Sequence, residues 1–341
     1  MSTRARSRIP ILLRLTAGAV LLALIVWRVD LGQFSLHSWP ALLAAAGAAV
    51  VLLLVAQVLS AVRWHAILGT QEVGTAYLWR LYLIGQFFGL FLPSLVGGDA
   101  VRAVALSREI HDASRSVASV LVDRIVGMVA LVLYLVLGLA LVPTRTIPSL
   151  RMSWPHIAPL WWIVGAIGVL GATVAAFLVL RRSERVRRIV GGKMRVLRMV
   201  RQPPLVVARW IGIGLLVQGI YILTWWALDI GLHLGVGLQY LLFAVPLVNV
   251  VAMLPITFSG IGVREGAWVV LLAPLGVSGA DAVAFGVLYF LCYTIVGGIG
   301  GLIFMWRGTT AHRGAGGSPQ GLTTPVELVS YPPPSRVPGA E

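Results

Sequence analysis

Cysteine is almost absent from this 341-residue chain, and the single one, Cys292, lies inside an apolar run. A disulfide framework or a thiolate metal site built by this chain alone is excluded, and Cys292 reads as a small buried hydrophobe. Histidine offers no metal site either. His37, His65, His111, His156, His233 and His312 are scattered among different segments, with no H-E-x-x-H or comparable spacing. A P-loop is missing, so the chain encodes no use of ATP. Without a catalytic or cofactor signature, neither enzymatic activity nor a cofactor is expected. Charge is also scarce, at 11% of residues, and unbalanced: 12 Asp and Glu against 27 Lys and Arg, for a net charge of +15. Long apolar runs separate the basic residues and no nucleic-acid module can be recognised, so nucleic acid is not an expected partner.

What the chain has in abundance is hydrophobic sequence, at 58% of residues and a mean hydropathy of +0.91. Such values describe an integral membrane protein. Apolar stretches near 11–29, 41–62, 117–142, 160–180, 210–230 and 281–306 each approach the roughly 20 residues needed to cross a bilayer core. The first follows "MSTRARSR" but offers no small-x-small cleavage site, so it reads as an uncleaved helix. Two further segments, 77–98 and 240–260, are broken by proline and glycine and return through charged residues. They read as discontinuous or re-entrant elements, which are tolerated at membrane depth only where protein or a water-filled cavity satisfies the backbone.

Charge placement gives the orientation, because cytoplasmic loops carry the excess of Lys and Arg. With the N-terminus inside, the cytoplasmic face receives Arg63, Arg80, Arg102, Arg108, Arg115 and the basic loop 181–209, and the outer face only Arg28, Arg145 and Arg151. Trp27, Trp39, Trp64, Trp79, Trp154, Trp161, Trp210 and Trp306 fall near span ends, where an aromatic belt belongs. The loop 181–209 holds ten basic residues and one acid, which makes it a topological anchor that could also gather anionic lipid. Beyond residue 306, Gly, Pro and Ser dominate, and 307–341 reads as a disordered cytoplasmic tail.

One pattern occurs twice. "LPSLVGGDAVR" at 92–102 is echoed by "LPITFSGIGVR" at 254–264, with Leu, Pro, Gly, Val and Arg in register. The corresponding units, about 77–142 and 240–306, are separated by an odd number of spans, which predicts an inverted repeat whose two hairpins meet near the midplane. Pro93, Gly97 and Gly98 shape the first hairpin, and Pro255, Gly260 and Gly262 the second, each exposing a helix N-terminus that attracts anions. Arg102 and Arg264 are the candidate head-group contacts, because a guanidinium fork suits phosphate. Asp99 and Glu265 would tune or balance that charge, and Gln86 and Asn249 could line the same cavity. Bland alternatives stand beside these: Arg102 as an interfacial residue, and the acids as local counter-ions. Asp123 and Arg124 read equally well as a local interfacial pair.

"PSLVGGDAVRA", "DRIVGMVALVLYLVLG" and "FSGIGVREGAWVVLLAPLGVS" resemble three recurring segments of the lysylphosphatidylglycerol synthase transmembrane family, also called the flippase-like domain family. The likeness extends to residue 306, and Gly127 departs from it, since the family often has an acid there. The resemblance implies an all-α polytopic helical bundle over 1–306 that translocates an anionic phospholipid or a polyprenyl-phosphate-linked lipid. It does not imply synthase activity, which in fused members belongs to a separate soluble domain. A scaffold role beside a partner synthase, an intramembrane lipid-modifying enzyme using Asp99 and Glu265, and a homo-oligomer remain open. The expected location is the cell inner membrane, with both termini cytoplasmic.

Overall fold

The structure is a computed structural model, and it describes residues 38–91, 97–141, 202–253 and 262–313. The expected spans at 11–29 and 160–180, Pro93, Pro255, Gly260, most of the basic loop and the tail from 314 onward lie outside the described residues. Among the described residues the fold is all helical: α1 Trp39–Leu68, α2 Thr75–Phe91, α3 Gly97–Glu109, α4 Ala113–Leu141, α5 Pro204–Leu232, α6 Leu238–Ala252, α7 Val263–Leu272 and α8 Gly279–Arg313.

Four of these helices are long and apolar enough to cross a membrane: α1, α4, α5 and the part of α8 between Gly279 and Trp306, at 28 to 30 residues each. They extend the expected spans by several residues because capping, rather than hydropathy, sets their ends. The Ser38 hydroxyl accepts the Ala41 N–H at 3.4 Å to start α1, and Gly69, at φ 59°, ends it. Ser278 and Asp281 bond each other at the start of α8. Their outer faces are as apolar as their inner ones: Leu43, Val51, Leu216, Ile295 and Leu302 are all exposed. A helix that is hydrophobic all round is stable only within a core or a bilayer, so these faces require lipid.

The two broken segments are hairpins. In each, the start of the first arm lies beside the end of the second. In the first, Tyr77 at the start of α2 donates its hydroxyl to the Ala105 carbonyl near the end of α3, at 3.5 Å. In the second, Tyr240 at the start of α6 donates to the Leu271 carbonyl at the end of α7, at 2.5 Å. Arg115, in the first turn of α4, reaches the Leu68 carbonyl at 3.2 Å, so the open end of the first hairpin sits where α1 ends and α4 begins. At the other end of α4, Gly138 packs directly against the backbone of Leu242 and Phe243 beside the open end of the second hairpin. The order arm, break, arm, long helix therefore occurs twice.

Close approach explains the glycines of the first hairpin. Gly97 and Gly98, expected to shape the reversal, form the first turn of α3. A Cβ on Gly98 would overlap the Gly85 carbonyl, and one on Gly85 would overlap the Arg102 side chain. Absent side chains let the two arms touch backbone to backbone, as small residues do between membrane helices.

The core joins both hairpins. Trp225 on α5 stacks on Tyr289 of α8 at 4.1 Å between ring centroids, with Trp268 and Phe285 edge-on or tilted at 4.6 and 4.8 Å. Cys292 is 1% exposed in the same cluster. Two belt assignments are corrected here: Trp64 and Trp210 are buried inside the fold, whereas Trp39 and Trp306 are exposed.

Candidate functional site

Arginine is the residue least expected in an apolar bundle, yet Arg63 and Arg102 are only 5% and 6% exposed. Neither is the cytoplasmic loop residue that the charge distribution suggests. Arg63 lies on α1, which continues for five residues beyond it. Its Nε donates to Asp123 Oδ1 on α4 at 2.8 Å. Asp123 Oδ2 accepts from Arg102 Nη2 at 3.3 Å and from the Tyr82 hydroxyl of α2. One buried carboxylate thus joins α1, α2, α3 and α4, and isolated it would be prohibitively costly.

Arg102 is held by two rings and two carboxylates, although its buried Nε finds no acceptor among the described residues. Trp64 and Tyr82 flank its guanidinium at 4.3 and 3.6 Å from their ring centroids, within cation–π range. Its Nη1 donates to Asp99 Oδ1 at 3.1 Å, one turn earlier on the same face of α3. Asp99 Oδ2 in turn accepts from Arg124 Nη1. The cluster becomes more open along this chain, from Asp123 at 4% side-chain exposure to Asp99 at 17% and Arg124 at 33%. Three arginines and two aspartates leave it one formal positive charge.

The second hairpin contributes a different arrangement. Gly262 adopts φ 83° at the N-cap of α7, a left-handed conformation suited to glycine, and its N–H donates to Glu265 Oε2 at 2.6 Å. Glu265, 3% exposed, caps its own helix, and among the described residues it forms no ion pair with Arg264. The Arg264 guanidinium lies 5.7 Å from the Tyr289 ring centroid, and its buried Nε and Nη1 have no hydrogen-bond partner among the described residues. The same holds for two further buried donors, the indole N–H groups of Trp225 and Trp268.

Tyr293 links the two halves. Its ring stacks on Tyr289, the ring nearest Arg264, at 6.2 Å between centroids, and its backbone carbonyl accepts from Gln86 Nε2 at 2.9 Å. Gln86 is itself paired with Gln57. Asn249 sits partly buried near the end of α6, its carbonyl accepting from Met253 N–H at 3.1 Å. No side-chain hydrogen bond joins it to the site among the described residues.

The description Lysylphosphatidylglycerol synthase TM region matches residues 11–301. The chain belongs to that family. No curated protein and no solved structure matches it. In this family member Gly127 faces the Arg63 guanidinium, 3.5 Å from where a Cβ would lie to Nη2. Arg63 is balanced by Asp123 instead, one turn away.

Sequence reasoning named Asp99, Arg102, Arg264 and Gln86 and weighed Asp123 and Arg124 as a local pair, whereas their partners lie on other helices; it passed over Arg63, Tyr82, Tyr289 and Tyr293 as site residues. A signal was available for Asp123 alone: an acid in the third turn of an apolar span has to be paired. Arg63 looked like a span boundary because hydropathy falls there, and the tyrosines looked like ordinary core.

Proposed function

We propose that the protein moves an anionic lipid, a phospholipid or a polyprenyl-phosphate-linked intermediate, between the leaflets of the cell inner membrane. The head group binds between two inverted re-entrant hairpins, and the apolar bundle surface guides its chains. The observation that carries this reading is Arg264: among the described residues, two of its buried guanidinium nitrogens have no acceptor. Burying a charge without compensation costs several kcal/mol. An acceptor arriving from outside, with oxygens suited to a fork of N–H donors, removes that cost, and phosphate fits.

The inversion has its own support. The first hairpin opens beside Arg115 and the second beside Gly138, at opposite ends of the 29-residue α4. Exposed Arg80 and Arg108 lie on the arms of the first hairpin, which favours a cytoplasmic position for that end. An inverted pair of hairpins can present one site to either leaflet in turn.

The test is translocation of head-group-labelled lipids in proteoliposomes, comparing wild type with Arg264→Ala. Losing about 1.5–3 kcal/mol of charge-assisted hydrogen bonding predicts a rate at least about tenfold lower. Equal rates for both proteins, or no movement of any anionic lipid, would sink the proposal.

A further inference from the structure

Asp99 and Arg124 differ from the rest of the buried charge cluster in one respect. Asp123 has three donors and almost no exposure, and Arg102 is fixed by two carboxylates and two aromatic rings. Arg124 is the most exposed cation of the cluster, and it pairs with Asp99. Asp99 has a second cation, Arg102, so releasing Arg124 does not leave the carboxylate unpaired. Tyr293 stacks on Tyr289, the ring nearest the Arg264 guanidinium, and its carbonyl holds Gln86, the neighbour of the Gly85 that packs on Arg102, so a continuous row of contacts joins this cluster to Arg264.

We infer that Asp99 is an internal stand-in for the ligand: it occupies the anion position of Arg124 in the empty protein, and the phosphate of the incoming lipid displaces it. Arg124 then grips the phosphate together with Arg264, while Asp99 remains on Arg102. Arg102 is accordingly a positioning residue and Arg124 the ligand contact. The inference rests on the anionic-lipid reading above and deepens it. Its physical logic is competition. A carboxylate and a phosphate seek the same guanidinium, so the internal anion weakens binding and also spares Arg124 from being buried bare whenever the site is empty. For a protein that must release its ligand, such a competitor limits how tightly the ligand can be retained.

The experiment is calorimetric binding of short-chain phosphatidylglycerol to the full-length protein in nanodiscs, with inorganic phosphate as a parallel titrant. Asp99→Asn removes the competitor and is expected to bind the lipid about tenfold more tightly, an equivalent of roughly 1.4 kcal/mol. Arg124→Ala is expected to bind about tenfold more weakly, and the double variant to behave like Arg124→Ala, because the gain depends on a freed Arg124. Preference for the lipid over inorganic phosphate assigns the site to a head group. The opposite preference assigns it to the free anion and leaves the exchange at Asp99 intact.

Unchanged or weaker binding by folded Asp99→Asn overturns the inference. Should that variant fail to fold, Arg124→Ala decides, since Asp99 keeps Arg102: unchanged affinity overturns it. Arg264→Ala is measured beside them. If it alone weakens binding, the lipid site stands and the role of Asp99 falls. If it binds like wild type, or if no probe binds even to Asp99→Asn, the anionic-lipid reading falls with it.

Discussion

Asp123 receives hydrogen bonds from three side chains on three other helices, so removing it takes the carboxylate from buried Arg63 and leaves buried Arg102 with Asp99 alone. Breaking a buried pair by deleting one partner costs about 3–5 kcal/mol. Asp123→Ala is therefore expected to lower the unfolding temperature in detergent sharply or to abolish folded protein. Asp99→Asn, at a partly exposed pair, is expected to cost less than half as much, and differential scanning fluorimetry of the two variants side by side checks the ordering. Arg264 belongs to the opposite case. Because its Nε and Nη1 have no acceptor among the described residues, Arg264→Leu is expected to fold at least as stably as wild type while failing in transport. A fall in its unfolding temperature would show that the guanidinium has a structural partner after all.

The hairpin elements depend on small residues and caps. Gly98→Ala drives a methyl group into the Gly85 backbone, and overpacking of that kind costs typically about 1–3 kcal/mol. It should also shift Arg102 away from Trp64, so both stability and transport are expected to fall. Gly47→Ala, whose Cβ would meet nothing within 4 Å, is the neutral control. Glu265→Ala loses the cap on Gly262, worth roughly 0.5–2 kcal/mol, and circular dichroism melting is the measure. At this scale the sequence was most legible. Proline and glycine marked both broken segments, and the 162-residue offset from Arg102 to Arg264 lays α2 on α6 almost end to end. The charge cluster was not legible, because its members come from four separate helices and each looks ordinary within its own stretch. A hydropathy profile cannot distinguish an arginine at the end of a span from one folded inward, and Arg63 and Arg102 are both of the second kind.

For the whole molecule, the two hairpins opening at opposite ends of α4 make a prediction about sidedness. Gln71, in the exposed turn beside the first hairpin's open end, and Gln239, on the exposed first turn of α6, should face opposite compartments. Cysteines placed at these positions, Gln71→Cys and Gln239→Cys, are expected to react with a membrane-impermeant maleimide from opposite sides of sealed, oriented vesicles. Labelling of both from one side would remove the inverted arrangement and the alternating site built on it. Cys292 bears on that measurement in a practical way. At 1% exposure and with its thiol against the Ala46 carbonyl, the native sulfhydryl is chemically silent in the folded protein. The wild-type chain is thus already a blank for thiol chemistry, and a signal from the unmodified protein would serve as an internal alarm that the bundle has come apart.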